Sequence, residues 1–277
     1  KKNYTIKLYE ESTKTVKQKI GFNNWGKQSK FCLKANYIDS LHVRNILGAR
    51  VGYDIINSRN DFDSLPIELK KAPKNGLIDG FPIQVYINNS CTGLYTWNIP
   101  KDAWMFNMDE TNKNHAVLCA EYNNNGSSTS NNVLACEFRK EALCDGSDWS
   151  LEVPDTLNTS IKTSFNTLIN HVLADSDAVF RASIKNYLDI TSAIDLYCFN
   201  YLMCGIDGLA KNLIMMTYDG TKWYCSLYDM DSILGSDTSG NLNKSATLQC
   251  PEGYQETNSL LWQRIETCFP QELYNRY

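Results

Sequence analysis

The sequence predicts an α+β fold in two lobes, a strand-rich one over residues 1–153 and a helix-rich one over residues 154–277. Three observations lead there. Before Val153-Pro154 the apolar residues alternate one by one, the period of a half-buried strand. After it they recur at intervals of three and four, the period of a helix with one buried face. A chain of 277 residues, 43% of them hydrophobic, can also bury a large core.

The elements follow in chain order. Residues 2–10 and 30–37 read as strands; in KFCLKAN, Phe31, Leu33 and Ala35 point one way, Lys30, Cys32 and Lys34 the other. Asp39 or Ser40 can cap a helix running to about Asn57, with Val43, Ile46, Leu47 and Val51 as its apolar stripe. Residues 61–80 carry two prolines and two glycines and read as a loop. Ile83, Val85 and Ile87 alternate, a turn of Asn, Ser, Cys, Thr and Gly follows, and LYTWN resumes, which makes a hairpin. Another strand is expected at His115–Ala120, a polar surface loop at 121–132 and a strand at 133–138. Beyond Pro154, Ile161, Phe165, Leu168 and Val172 lie on one helical stripe, and DAVFRASIKNYL suggests a second helix. A third has Ser192-x-x-Asp195 as an acidic capping box, Ile194, Tyr197, Cys198, Tyr201 and Leu202 as its apolar face, and Gly205 as its stop. NLIMMTY and KWYCSLY are then strands joined at Asp219-Gly220, a dipeptide suited to a two-residue type I′ turn.

Composition excludes several classes. The formal net charge of −4 and the lack of a clustered basic patch argue against nucleic acid as the main ligand. No run of eighteen apolar residues occurs, so no membrane span is expected, and KKNYTIKLYEE lacks the apolar core of a signal peptide. The absence of an initial Met is compatible with a piece of a longer product. Ten cysteines form no C-x-x-C pair, which removes zinc-ribbon and thioredoxin readings, although a few disulfides would suit an exported chain. The three histidines, His42, His115 and His171, lack metal spacing and read as structural. Trp97, Trp104 and Tyr95 read as core, with a sugar- or protein-binding face as the alternative.

One stretch carries chemistry. A hairpin returns the chain to its start, so the segments before NLIMMTY and after KWYCSLY should meet, gathering Asp207, Asn212, Asp229 and Asp231. Carboxylates and a carboxamide form a hard oxygen site suited to Mg²⁺, Mn²⁺ or Ca²⁺. Their mutual repulsion would be offset by a cation that also holds a phosphate. An Asp, an Asn five residues later, a hairpin and a second metal-binding Asp is the order of the catalytic half of a protein kinase. The His-Arg before the first Asp and the Phe-Gly after the second are absent. Read singly, each residue fits an ordinary turn, and YDMDS fits half of a calcium loop without its Gly and distal Glu.

The chain resembles the CotH kinase family, typified by spore coat protein H. The resemblance rests on KFCLKANYIDSLHVRN (30–45), DGFPIQVYINNSCTGLYTWNIPKDAWMF (79–106), GIDGLAKN (205–212) and YDMDSILG (228–235), within residues 25–240. It implies a reduced two-lobed protein-kinase-like fold that binds ATP between its lobes and transfers phosphate to Ser or Thr of a surface or coat protein. It further implies that Asp207 is the catalytic Asp, that Asn212 holds metal, and that Asp229 or Asp231 bridges Mg²⁺ or Mn²⁺ to the phosphates. Lys34 is the candidate for the lysine on the α/β-phosphates, with Lys30 next; Lys211 could reach the γ-phosphate. The implied setting is a spore coat, cell surface, secreted or phage particle.

The sequence also departs from the kinase pattern. No G-x-G-x-x-G precedes Lys34; GFNNWGK offers only Gly21 and Gly26. The helix after Ser40 has no Glu to pair with Lys34, leaving Asp39, Asp54 or Glu121 as substitutes, and Tyr228 stands where family members carry Trp before the acidic pair. These departures keep two further readings open: a non-catalytic surface-assembly or adhesion module, as in a spore coat or phage tail, and a calcium-stabilised structure without nucleotide.

Overall fold

Strand alternation places β1 (Tyr4–Lys7) beside β4 (Lys30–Lys34), with the short ribbon β2 (Ile20–Gly21) and β3 (Lys27–Gln28) between them in sequence. The computed structural model describes residues 2–120, 138, 144, 149–205, 208–209, 212–237, 240–242 and 259–277. With β5 (Gly80–Ile87) and β6 (Ser90–Asn98), these strands form an antiparallel sheet of order β1-β4-β6-β5. Phe31, Leu33 and Ala35 are buried on one face, as the alternation requires, and Lys30, Cys32 and Lys34 are half-buried on the other. The β5–β6 turn is the two-residue Asn88-Asn89, both at positive φ (49° and 64°), which Asn tolerates better than most residues. Tyr95 and Trp97 belong to the core: Tyr95 is 1% exposed and Trp97 packs at a tilt on Phe31 at 4.9 Å, so neither makes a binding face.

Helix α1 (Arg44–Asn57) follows β4 with its predicted end and a buried face shifted from the expected stripe: Ile46 is buried and Val51 packs partly against the core. Val43 and Leu47 are exposed, and Asn45, Ile46, Gly48, Ala49 and Gly52 face inward. The reason is proximity. A Cβ on Gly48 would lie 2.9 Å from Met230 Sδ and one on Gly52 2.6 Å from Leu227 Cδ1, so only small residues let the helix approach so closely. Asp39 caps it from upstream, accepting the N–H groups of Leu41, Val43 and Arg44 and pairing with the Arg44 guanidinium at 2.6 Å. Residues 61–80, read as a loop, instead hold two 3-10 turns and the five-residue helix α2 (Ile67–Lys71) between Pro66 and Pro73.

The second sheet takes β7 (Ala116–Ala120) and β8 (Trp149–Val153) from before Pro154 and β9 (Leu213–Thr217) and β10 (Trp223–Leu227) from after it, antiparallel in the order β10-β9-β7-β8. Helix α3 (Thr159–Ala174), capped by Asn158, covers it, and Phe165 sits between Trp149 (4.8 Å) and Trp223 (4.6 Å). Helix α4 (Asp177–Ser183) leads to α5 (Ile190–Met203), which is buried almost all round except at Leu202. Its cap is Asp189, which accepts the Ser192 N–H at 2.8 Å. Asp195, expected in a capping box, lies inside the helix and pairs at 2.5 Å with Arg276 of α7 (Pro270–Arg276), which follows α6 (Leu260–Cys268). The left-handed residue ending α5 is Cys204 (φ 51°) rather than Gly205, whose N–H returns to the Asn200 carbonyl at 2.8 Å.

The β9–β10 connection is five residues long, not two, because Thr217 pairs with Trp223. Asp219 Oδ1 accepts the N–H groups of Thr221 and Lys222, both at 2.8 Å, and Gly220 takes φ 73°. The second sheet and all the longer helices feed one large apolar core, which Phe31 joins from the first sheet, while Leu33, Ala35 and Tyr95 of that sheet form a second, smaller cluster. The predicted loop at 121–132 and strand at 133–138 lie outside the described residues, Phe138 excepted. Among the described residues no helix is long and apolar enough to cross a membrane and no disulfide forms. His115 accepts the Asp109 N–H at 2.9 Å, and His171 pairs with Asp175 at 2.7 Å; both are structural.

Candidate active site

The site is built at one end of the β9–β10 hairpin. Leu213 pairs with Leu227, so the chain enters at Asn212 and leaves at Tyr228 side by side. Asn212 (φ 59°) and Asp229 (φ 49°) both adopt the left-handed conformation, which Asn and Asp reach at lower cost than other side chains. After Asp229 the chain makes a 3-10 turn, Met230–Ser232, that carries Asp231. Met230 and Ile233, both buried, anchor this turn under α1 opposite Gly48.

The first sheet brings its polar face to this turn. Lys34 Nζ lies 2.8 Å from Asp229 Oδ1, joining residues 195 positions apart. Lys30 does not reach the acids of this turn; it pairs with Asp102 at 3.0 Å. Burial raises the Cys32 thiol pKa, and the flanking ammonium groups of Lys30 and Lys34 pull it part of the way back, the mark of a positive field on this face.

The side chain that completes the contact is Asn45, on the first turn of α1 and 3% exposed. Its Nδ2 donates to Asp229 Oδ1 at 3.0 Å, and its Oδ1 accepts the Met230 N–H at 2.8 Å. One carboxamide thus holds the aspartate and the backbone after it. Of the substitutes for a helix glutamate, the two that are described do not take that place. Asp39 is committed to Arg44, Asp54 is exposed, and Glu121 lies outside the described residues. Asp229 itself is the carboxylate that meets Lys34, and Asn45 braces it from the helix.

A family model described as CotH kinase protein matches residues 1–268. The chain belongs to the CotH kinase family. No curated protein matches it. Of the positions expected for a CotH kinase, Lys34, Asn212, Asp229 and Asp231 lie on the elements described above, whereas Asp207 and Lys211 lie outside the described residues. The ribbon bearing GFNNWGK does not roof Lys34. Its Phe22 packs at 5.3 Å on both Phe31 and Trp97, on the opposite face of the sheet, and its Trp25 donates to Asp79 at 2.8 Å.

As a donor set, Asn212, Asp229 and Asp231 are all oxygen. Mg²⁺ is commonly held by one or two carboxylates with phosphate and water oxygens making up the remainder, so these residues fit it. Among the described residues no three His, Cys, Asp or Glu side chains converge as an all-protein metal cage. Sequence reading missed Asn45. The signal for it is faint: a polar residue on the inward face of a helix whose other inward positions are small.

Proposed function

We propose that this CotH-family chain is an ATP-dependent atypical protein kinase that works between two lobes and phosphorylates Ser or Thr of a surface or coat protein. The observation that carries the reading is the 2.8 Å Lys34–Asp229 contact, braced by Asn45, at the end of the hairpin where Asn212 enters. A lysine and an aspartate brought together from distant parts of the chain supply what phosphoryl transfer asks of a protein, which is positioning and charge neutralisation.

Each residue then has a task. Lys34 takes the α/β-phosphates, with Lys30 set back on Asp102. Asn212 with Asp229 and Asp231 would hold Mg²⁺ or Mn²⁺, whose chemistry is to neutralise phosphate charge. Asp207 orients the acceptor hydroxyl and accepts its proton; Lys211 reaches the γ-phosphate. The family's link to spore coats supports a coat or other surface protein as substrate.

Thermal unfolding with and without Mg-ATP tests the reading. A ligand at a hundred times its Kd stabilises a protein by about 2.7 kcal/mol. Wild type should gain this, Asp229→Asn with Asp231→Asn should lose it, and Asp207→Asn should keep it while losing phosphate transfer to protein. A wild type indifferent to nucleotide overturns the proposal. It would favour a surface-assembly module on a kinase scaffold, a reading supported by the glycine-poor ribbon held on the far face of the sheet. Stabilisation by Ca²⁺ alone would favour a calcium-braced structure.

A further inference from the structure

Lys101 stands on the connection between the two sheets, three residues past the end of β6. Its side chain, 15% exposed, pairs with Glu152 of β8 at 2.8 Å, and its Nζ lies 3.6 Å from Cys119 Sγ of β7. The same nitrogen lies 4.5 Å from the centre of the Tyr228 ring, and Lys34 Nζ lies 5.0 Å from it. Tyr228 is bonded directly to Asp229. The residue after Lys101, Asp102, turns to the other sheet and holds Lys30 of β4 at 3.0 Å. Two adjacent residues therefore reach opposite sheets, and one of them shares an aromatic ring with the candidate phosphate lysine.

We propose that Lys101 is a positioning residue of the nucleotide site, acting through Tyr228 on Asp229; this rests on the kinase reading above. A space that needed only filling would be cheaper to fill with Leu or Met, because a buried ammonium gives up its hydration. Here that loss is offset by a carboxylate and by the negative face of a ring. Burial opposes the Lys101 charge, but the groups around it outweigh that and raise the ammonium pKa; among Cys119, Tyr228 and Glu152, the carboxylate is the one that carries charge near neutrality. With two cations on one ring, Tyr228 has a fixed plane, and that fixes where the left-handed turn at Asp229 begins. When Lys34 exchanges Asp229 for nucleotide phosphates, Lys101 remains on Glu152. The ring keeps one anchor while the carboxylate is released.

The test uses the full chain and two measurements. Mg-ATP affinity, from thermal shift, should weaken about 2- to 30-fold in Lys101→Met, the range expected for a lost cation–π contact. Lys101→Arg, which keeps both the charge and the stacking, should stay within about threefold of wild type. Lys101→Met with Glu152→Gln removes both charges, so an orphaned carboxylate cannot mask the result, and it should show the same weakening. Separately, urea unfolding of the nucleotide-free protein should show Lys101→Met and Tyr228→Leu to be coupled, the second change adding little to the first. Three outcomes overturn the inference alone: a wild type that binds Mg-ATP beside a neutral double variant that binds within twofold of it, simple additivity with Tyr228→Leu, or an Arg variant as weak as the Met variant. A wild type that never responds to Mg-ATP overturns the kinase reading and this one together.

Discussion

Asn45→Asp changes one atom and should reveal how the helix holds the aspartate. The new side chain keeps the oxygen that accepts the Met230 N–H at 2.8 Å but sets a second oxygen where Nδ2 donated to Asp229 at 3.0 Å. If both carboxylates stayed ionised, repulsion at an effective dielectric near 20 would cost about 4 kcal/mol and the lost charge-assisted hydrogen bond about 1.5–3 kcal/mol more. Taking up a proton is cheaper. Protonating an aspartate of ordinary pKa at pH 7 costs about 4 kcal/mol, and the resulting O–H restores the lost donor. The folded variant then binds one proton more than its unfolded chain, so its penalty grows with pH, from roughly 1.5 kcal/mol at pH 5 to about 4 at pH 7. Against a total stability of about 5–15 kcal/mol this is large. Urea unfolding of wild type and variant in metal-free buffer from pH 5 to 8 measures it. A penalty below about 1 kcal/mol at pH 7, or one equal at pH 5 and pH 8, would refute the Asn45–Asp229 contact.

Lys34→Met should unfold within about 1 kcal/mol of wild type, because its ion pair is partly exposed, yet lose the stabilisation by Mg-ATP in a thermal-shift titration. Gly52→Ala gains about 1 kcal/mol of helix propensity but drives a methyl to 2.6 Å from Leu227 Cδ1, an overpacking cost of about 1–3 kcal/mol, so urea unfolding should show no net gain and a loss of up to about 2 kcal/mol. Glu11 is held at about 2 by hydrogen bonds from the Thr15 hydroxyl and the Val16 and Thr15 N–H groups. Its contribution is present above pH 4.5 and lost as pH falls toward 2, so Glu11→Gln should flatten that part of the stability–pH curve.

What could be read from the sequence was whatever a regular period encodes. Phe31, Leu33 and Ala35 announce a half-buried strand, and Ile161, Phe165, Leu168 and Val172 a helix face, because large apolar residues at fixed spacing leave few other packings. The α1 face is legible only in part for the complementary reason. Ile46 points inward as its spacing requires, but Asn45, Gly48 and Gly52 do so because of a turn nearly two hundred residues away. Asp195 looked like a cap by spacing, but Asp189 had already begun the helix and Arg276, far along the chain, claims Asp195. At the site, Lys34 and the pair Asp229 and Asp231 stood out through chemistry and family pattern, and the contact with Lys34 singles out Asp229 only in the folded chain. Asn45 and Lys101 did not, because their meaning lies wholly in tertiary contacts.

The interleaving of the second sheet bears on how the chain is made. Strand β7 is complete at Ala120, but its neighbour β9 ends only at Thr217. At ribosomal speeds the intervening stretch takes roughly 5–20 s to synthesise. For that time one flank of a wholly apolar ribbon has no mate, an invitation to adhesion between nascent chains. Cutting the gene at the Val153-Pro154 junction would make that interval permanent: the two halves would either reassemble as a split reporter does or precipitate, and neither would hold both Lys34 and Asp229 alone.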